Sequence, residues 1–179
     1  GERGKRHTEN EVKIEVILRD YQKNRVLSEL KKVHPYEEIA YEIYSTLNTD
    51  QHVGSGLIGN LKETLNEQEF LIMLKKAMNL QVIKHTGSTG VINRVALCGG
   101  SGQFLLNAAK ASLADVYISA DFKYHEFFDA ENEIMICDIG HYESEKYTID
   151  LLYDILTKKF NKFAVLKTAG DTNPVKYFL

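Results

Sequence analysis

The sequence predicts an α/β protein in two parts: a ferredoxin-like βαββαβ unit over residues 11–86, followed by a unit over residues 87–179 built on a mostly parallel sheet. Three observations predict it. Alternating, β-branched runs and amphipathic helical stretches follow one another in the order β-α-β-β-α-β up to His85. The stretch "TGSTG", residues 86–90, then punctuates the chain as a linker would. Beyond it, strands and helices alternate regularly, which implies parallel strands with helices on the faces of the sheet.

Each element has a local reason. "GERGKRHTEN", residues 1–10, is polar and without periodicity, and reads as a disordered tail or linker. "VKIEVIL", residues 12–18, alternates and is rich in Val and Ile, so it reads as a strand. Asp20 suits an N-cap for a helix carrying Val26, Leu27, Leu30 and Val33, and Pro35 disfavours helix at His34. "IAYEIYS", residues 39–45, alternates again, and "HVGSGLIGNL" places strand-like residues between glycines. Asn66 with Glu69 three residues later marks the start of a helix over "EFLIMLKKAM", and "QVIKH" reads as the closing strand.

In the second part, "VINRVALC", "ADVYISA", "EIMICDI" and "FAVLKTA" read as strands, and "QFLLNAAKASL", "FKYHEFFDAEN" and "YESEKYTIDLLYDILTKKF" as helices. The last helix would bury Leu151, Leu152, Ile155 and Leu156 on one stripe. Ligands of such sheets bind at the carboxyl ends of the strands.

Composition narrows the function classes. The 179 residues are 44% hydrophobic and 26% charged, ordinary for a soluble globular protein. The net charge of −3 gives no general attraction to nucleic acid or anionic membrane, and no apolar run approaches a membrane span. Cys98 and Cys137 each end an apolar run and form no CxxC motif, which suits buried, reduced thiols in a cytoplasmic protein.

"GSGLIG", residues 54–59, matches G-x-G-x-x-G but opens no helix, so its glycines instead permit a twisted strand, a bulge or close backbone approach. "CGGSG", residues 98–102, joins a strand to a helix and either turns N–H groups toward an anion or makes a tight turn alone. Asp121, Lys123 and His125 follow the next strand, with helix capping the structural role open to Asp121. After the third strand comes "GHYESE". His141 and Glu145 stand four residues apart, so on a helix they share a face, and an imidazole nitrogen with a carboxylate one turn away can chelate a divalent ion. Two donors do not complete a tight site. Metals served by such ligands include zinc, iron and manganese.

"RVALCGGSG", "ADVYISADFKYHEFFDA" and "DIGHYESE", in this order, resemble the C-terminal half of the Nif-three-like family, whose members are often named GTP cyclohydrolase I type 2 homologues. "HPYEEIAYEIY" followed by "GSGLIGNL" resembles the mid-chain domain, related to PII and CutA folds, that many bacterial members carry. The resemblance implies a PII/CutA-like domain over 11–86 and half of a metal-binding α/β domain over 87–179. It implies a dinuclear divalent-metal site in which His141 and Glu145 are ligands, completed by a His-His pair and an Asp from an N-terminal half. This sequence has no His-His pair, so the resemblance implies a chain holding part of that site. It further implies a metal-dependent hydrolase acting on a nucleotide or related small molecule, and a ring-shaped homo-oligomer, commonly a hexamer. A non-enzymatic metal-binding or ligand-sensing protein is the alternative.

Overall fold

The structure, a computed structural model, describes residues 3–8, 10–50, 52–88 and 90–178. The chain divides into two compact units, Gly1–Thr49 and Asp50–Leu179.

Among the described residues, the first unit is built on one helix. A 3-10 turn, Asp20–Gln22, runs into α1, Lys23–Val33. Asp20 sits in this first turn and Arg19 takes the N-cap position in its place. His34, ahead of Pro35, is extended at φ −74° and ψ 137° and ends the helix, as steric exclusion by the proline ring requires. Residues 12–18 and 39–45 pair with no strand, and Val12, Ile14, Val16 and Ile17 are exposed. The ferredoxin-like arrangement is therefore not seen among the described residues. An alternating β-branched run makes a chain ready to pair, but a strand exists only where a partner supplies the ladder.

Among the described residues, the second unit holds one five-stranded mixed sheet. Its strands are β1 (Leu57–Leu65), β2 (Lys84–His85), β3 (Ile92–Ser101), β4 (Val116–Ala120) and β5 (Met135–Asp138), in the order β1-β3-β4-β5-β2. The middle three are parallel, and both edge strands run antiparallel to their neighbours. Strands β1 and β2, expected in the ferredoxin-like unit, instead flank the parallel strands. Residues 163–169, expected as a last strand, are not one.

The pleat sorts the core onto two faces. Tyr117 and Ile136 point to one face with Leu106 and Ala109 of α3 (Leu106–Ala111). Val116, Ile118, Met135 and Cys137 point to the other with Phe70 and Leu74 of α2 (Glu67–Ala77). With both faces covered, β4 and β5 are buried along their whole length, which is why they appear in the sequence as mostly apolar runs, with Ser119 within β4 and Asp138 ending β5 as buried polar exceptions. Both cysteines are buried and free, and burial pushes the Cys137 thiol up to about 12.

Helix α2 starts as its sequence dictates. The Asn66 side chain accepts from the Glu69 N–H at 3.0 Å, and Glu69 accepts from the Asn66 N–H at 3.0 Å. Asn66→Ala is expected to cost about 1 kcal/mol in urea unfolding. No loss would mean the cap is made redundant by packing of Phe70 and Leu74.

"GSGLIG" leads into a strand rather than forming a nucleotide loop, with Leu57–Gly59 opening β1. A Cβ on Gly56 would meet the Leu97 carbonyl at 2.9 Å, so this glycine lets the residues just ahead of β1 approach β3, and the β1–β3 pairing shifts register between Asn60 and Leu65.

The long C-terminal helix breaks in two, α4 (His141–Glu145) and α5 (Thr148–Lys159). Leu151, Leu152, Ile155 and Leu156 are exposed, contrary to the buried stripe expected of them. Helical spacing shows which face is apolar, while covering that face needs a neighbour. Among the described residues, no helix is long and apolar enough to cross a membrane.

Candidate metal centre

Three loops meet at the carboxyl ends of the parallel strands. The first lies within β3. Between Leu97↔Ile118 and Ser101↔Ala120, β3 spends four residues where β4 spends two, so the ladder bulges at Cys98–Gly100. Gly100 takes φ +64°, which favours glycine. A Cβ there would lie 2.5 Å from Glu145 Oε1 and 3.3 Å from His141 Cε1. The backbone of the bulge is thus the floor beneath α4. The Gly100 N–H donates to Ser144 Oγ at 2.8 Å, and Ser144 Oγ donates to the His141 carbonyl at 2.8 Å. This glycine run is occupied in seating α4, which favours the tight-turn reading of "CGGSG" over an anion cradle.

The second loop follows β4. Asp121 has φ +62° and does not cap the 3-10 segment Tyr124–Ala130, whose N-cap is Lys123. Its carboxylate instead meets His141 Nδ1 at 2.6 Å. His125 lies exposed on the 3-10 segment, and both ring nitrogens of His141 are engaged elsewhere.

The third loop follows β5. Gly140 takes φ +89°, and a Cβ there would collide with the Glu143 carboxylate. This turn starts α4 with His141 as its first residue. One helical turn on, Glu145 Oε2 lies 3.3 Å from His141 Nε2. The i,i+4 spacing in the sequence therefore does place the two side chains together, each about half-exposed. Glu143 turns away and accepts from Asn173 Nδ2 at 3.1 Å.

Asp138 is the residue that motif reasoning missed. Its side chain is 1% exposed and holds three donors: Lys84 Nζ at 2.7 Å, the Phe122 N–H at 3.2 Å and the Gly140 N–H at 3.0 Å. It thereby ties the loop carrying Asp121 to the loop carrying His141. The available signal was a lone carboxylate ending an otherwise apolar buried strand, two residues before a glycine.

Asp121 and Glu145 are acceptors only, so the imidazole between them is favoured as the cation. The hydrogen bond from His141 to Asp121, with smaller contributions from the charges of Asp121 and Glu145, raises the His141 pKa above its usual value. A folded value above the unfolded one means that protonation stabilises the fold. The contribution is complete below about pH 6.5 and is lost as pH rises through the raised folded value. An NMR titration of the metal-free protein should place the His141 midpoint above 6.5. A midpoint at or below that value would show that the carboxylates do not act on the ring.

A divalent ion is the other cation that can sit between two such donors. Ligand atoms about 2.0–2.2 Å from one tetrahedral ion lie roughly 3.3–3.6 Å apart, so His141 Nε2 and Glu145 Oε2 fit a shared ion. They supply two donors. Among the described residues, no group of three or more His, Cys, Asp or Glu side chains could hold a metal ion.

A family model described as Duf34/NIF3 (NGG1p interacting factor 3) matches residues 10–174. A Bacillus subtilis (strain 168) protein named GTP cyclohydrolase 1 type 2 homolog is 32% identical over 183 residues, covering 99% of this chain and 49% of the relative. A Halalkalibacterium halodurans protein of the same name is 37% identical over 143 residues, covering 79% of this chain and 38% of its own. Among solved structures, Staphylococcus aureus protein SA1388 superposes with a TM-score of 0.74 at 27% identity, over 92% of this chain and 55% of that one. A Bacillus cereus protein related to NIF3 gives 0.69 at 26% identity, over 90% and 46%. The chain spans about half the length of the relatives it matches.

Proposed function

The chain belongs to the Duf34/NIF3 family, and from that premise we propose that it contributes His141 and Glu145 to a divalent-metal centre of a hydrolase acting on a nucleotide or related small molecule. One observation carries the reading. Across 3.3 Å, the two donors converge at the carboxyl edge of the sheet, above a bulge whose glycine leaves room for them. The name GTP cyclohydrolase 1 type 2 homolog, borne by the relatives, supports the substrate class.

In the whole protein, two metal ions complete the centre with further ligands. Zinc, iron and manganese all suit an imidazole and a carboxylate. Bound there, the metal would supply Lewis acidity toward a phosphoryl or ring-amidine group and lower the pKa of water. The chain's own residues prepare the place. Gly140 aims α4, Ser144 pins it to the Gly100 N–H, and Asp138 holds the flanking loops at a fixed separation. His141 must give up its Nε2 proton to bind an ion. Metal uptake therefore competes with protonation and strengthens as pH rises through the raised His141 value.

The finer architecture belongs to the same proposal. In the whole protein the exposed alternating runs ahead of β1 find strand partners in a PII/CutA-like domain, while β1, α2 and β2 stay with the sheet that carries the metal site as part of the metal-binding domain. The whole protein assembles as a ring-shaped homo-oligomer, commonly a hexamer, and its free buried cysteines suit the cytoplasm. A non-enzymatic metal-binding or ligand-sensing protein built on that PII/CutA-like domain is the second reading.

Elemental analysis and nucleotide turnover of the whole protein test the proposal. His141→Ala and Glu145→Ala should each lower metal content and abolish turnover together. Metal content unchanged in both variants would sink the metal assignment, and metal-dependent nucleotide binding without turnover would favour the sensor. This chain alone should bind zinc far more weakly than the whole protein in calorimetry, because it brings only two donors. Equal affinity would mean that residues 1–179 contain the full ligand set.

A further inference from the structure

His141 is gripped on both sides, and the two grips are unequal. Nδ1 lies 2.6 Å from an Asp121 oxygen, while Nε2 lies 3.3 Å from Glu145. Both partners are carboxylates, so neither can donate to the ring. A neutral imidazole has one N–H to give, and the shorter contact claims it. The electron pair of the other nitrogen then faces Glu145.

We infer that Asp121 is a positioning residue that holds neutral His141 as its Nδ1–H tautomer, with Nε2 aimed at the Glu145 carboxylate. The inference rests on the metal-centre reading for its purpose but not for its geometry. A ligating histidine whose other nitrogen donates to a carboxylate has a fixed ring plane and a more basic ligand atom.

Two further features single out Asp121. Its backbone occupies the left-handed region, φ +62°, uncommon for a residue with a side chain and tolerated best by Asp and Asn. The next residue is anchored, because the Phe122 N–H donates to buried Asp138, which also accepts from the Gly140 N–H one residue before His141. One buried carboxylate therefore sets the distance between the residue that orients and the residue that is oriented. Helix capping, the ordinary role for an aspartate at this point, falls instead to Lys123.

The test uses the 179-residue chain, metal-free, at about pH 9 so that the ring is neutral. Long-range proton–nitrogen NMR correlations report which nitrogen of His141 carries the proton. Wild type should show Nδ1–H. Asp121→Gly keeps the backbone conformation accessible but removes the carboxylate, and should flip the ring to Nε2–H, donating to Glu145. Asp121→Asn retains an acceptor oxygen and should restore Nδ1–H. Zinc titration should then show affinity reduced about 10–100-fold in Asp121→Gly, with a smaller loss in Asp121→Asn. A wild-type Nε2–H tautomer, or an Asp121→Gly ring that stays Nδ1–H, would overturn the positioning role. Zinc uptake that ignores His141→Ala would overturn the metal reading instead, and the metal-free tautomer would still decide the role of Asp121.

Discussion

Asp138→Ala is expected to destabilise the protein by about 2–6 kcal/mol, about 1–3 kcal/mol for each of two backbone N–H groups left unpaired. The carboxylate is 1% exposed, and water cannot readily replace it. Its removal would strand the Lys84 ammonium and the N–H groups of Phe122 and Gly140. Lys84 is itself 60% exposed in its side chain and can turn to solvent, so most of the loss falls on the two backbone donors. Native domains are stable by only about 5–15 kcal/mol, so the change should be plain in urea unfolding. The loops carrying Asp121 and His141 would also lose their common anchor, so zinc affinity should fall together with stability. A variant within 1 kcal/mol of wild type would mean that the loops are held by other contacts.

Gly102→Ala should cost a similar amount for a different reason. The position has an ordinary negative φ of −112°, so backbone strain is not the issue. Space is. A Cβ would collide with Ser119 Oγ and lie 2.6 Å from the Tyr117 hydroxyl and 2.8 Å from Cys98 Cβ. All three neighbours belong to the buried sheet and cannot move independently. The Tyr117 hydroxyl donates to the Gly102 carbonyl at 2.6 Å, and Ser119 donates to the Gly100 carbonyl at 3.0 Å. Burial pushes the Tyr117 pKa up to about 12, so the hydroxyl remains a donor across the working pH range. Overpacking costs about 1–3 kcal/mol, and a broken buried hydrogen bond about as much again. We expect a loss of roughly 3–5 kcal/mol on these grounds. Tyr117→Phe combined with Gly102→Ala should recover part of it by removing one colliding atom. A Gly102→Ala protein with wild-type unfolding would show that β3 can shift to make room.

The candidate site was legible to the extent that its chemistry is local. Gly140, His141 and Glu145 lie within six residues, and helical geometry alone brings the imidazole and carboxylate onto one face. The capping box at Asn66 and the strand opening within "GSGLIG" were legible for the same reason. Asp121 was visible only as a candidate among its neighbours, because its partner lies twenty residues away across a strand crossover. Asp138 carried no motif, since burial and the convergence of three donors are properties of the folded loops.

The same division runs through the architecture. Mostly apolar runs without alternation determined β4 and β5, because strands covered on both faces need no polar side. Apolar periodicity determined α1 and α2, because their turns close within the segment itself. Tertiary structure alone decided that the alternating residues 12–18 remain exposed while β1 and β2 join the parallel strands as antiparallel edges. It also decided that the apolar face of α5 is exposed. A helix satisfies its hydrogen bonds internally, whereas a strand or an apolar face is completed only by a partner elsewhere, and local pattern does not name that partner.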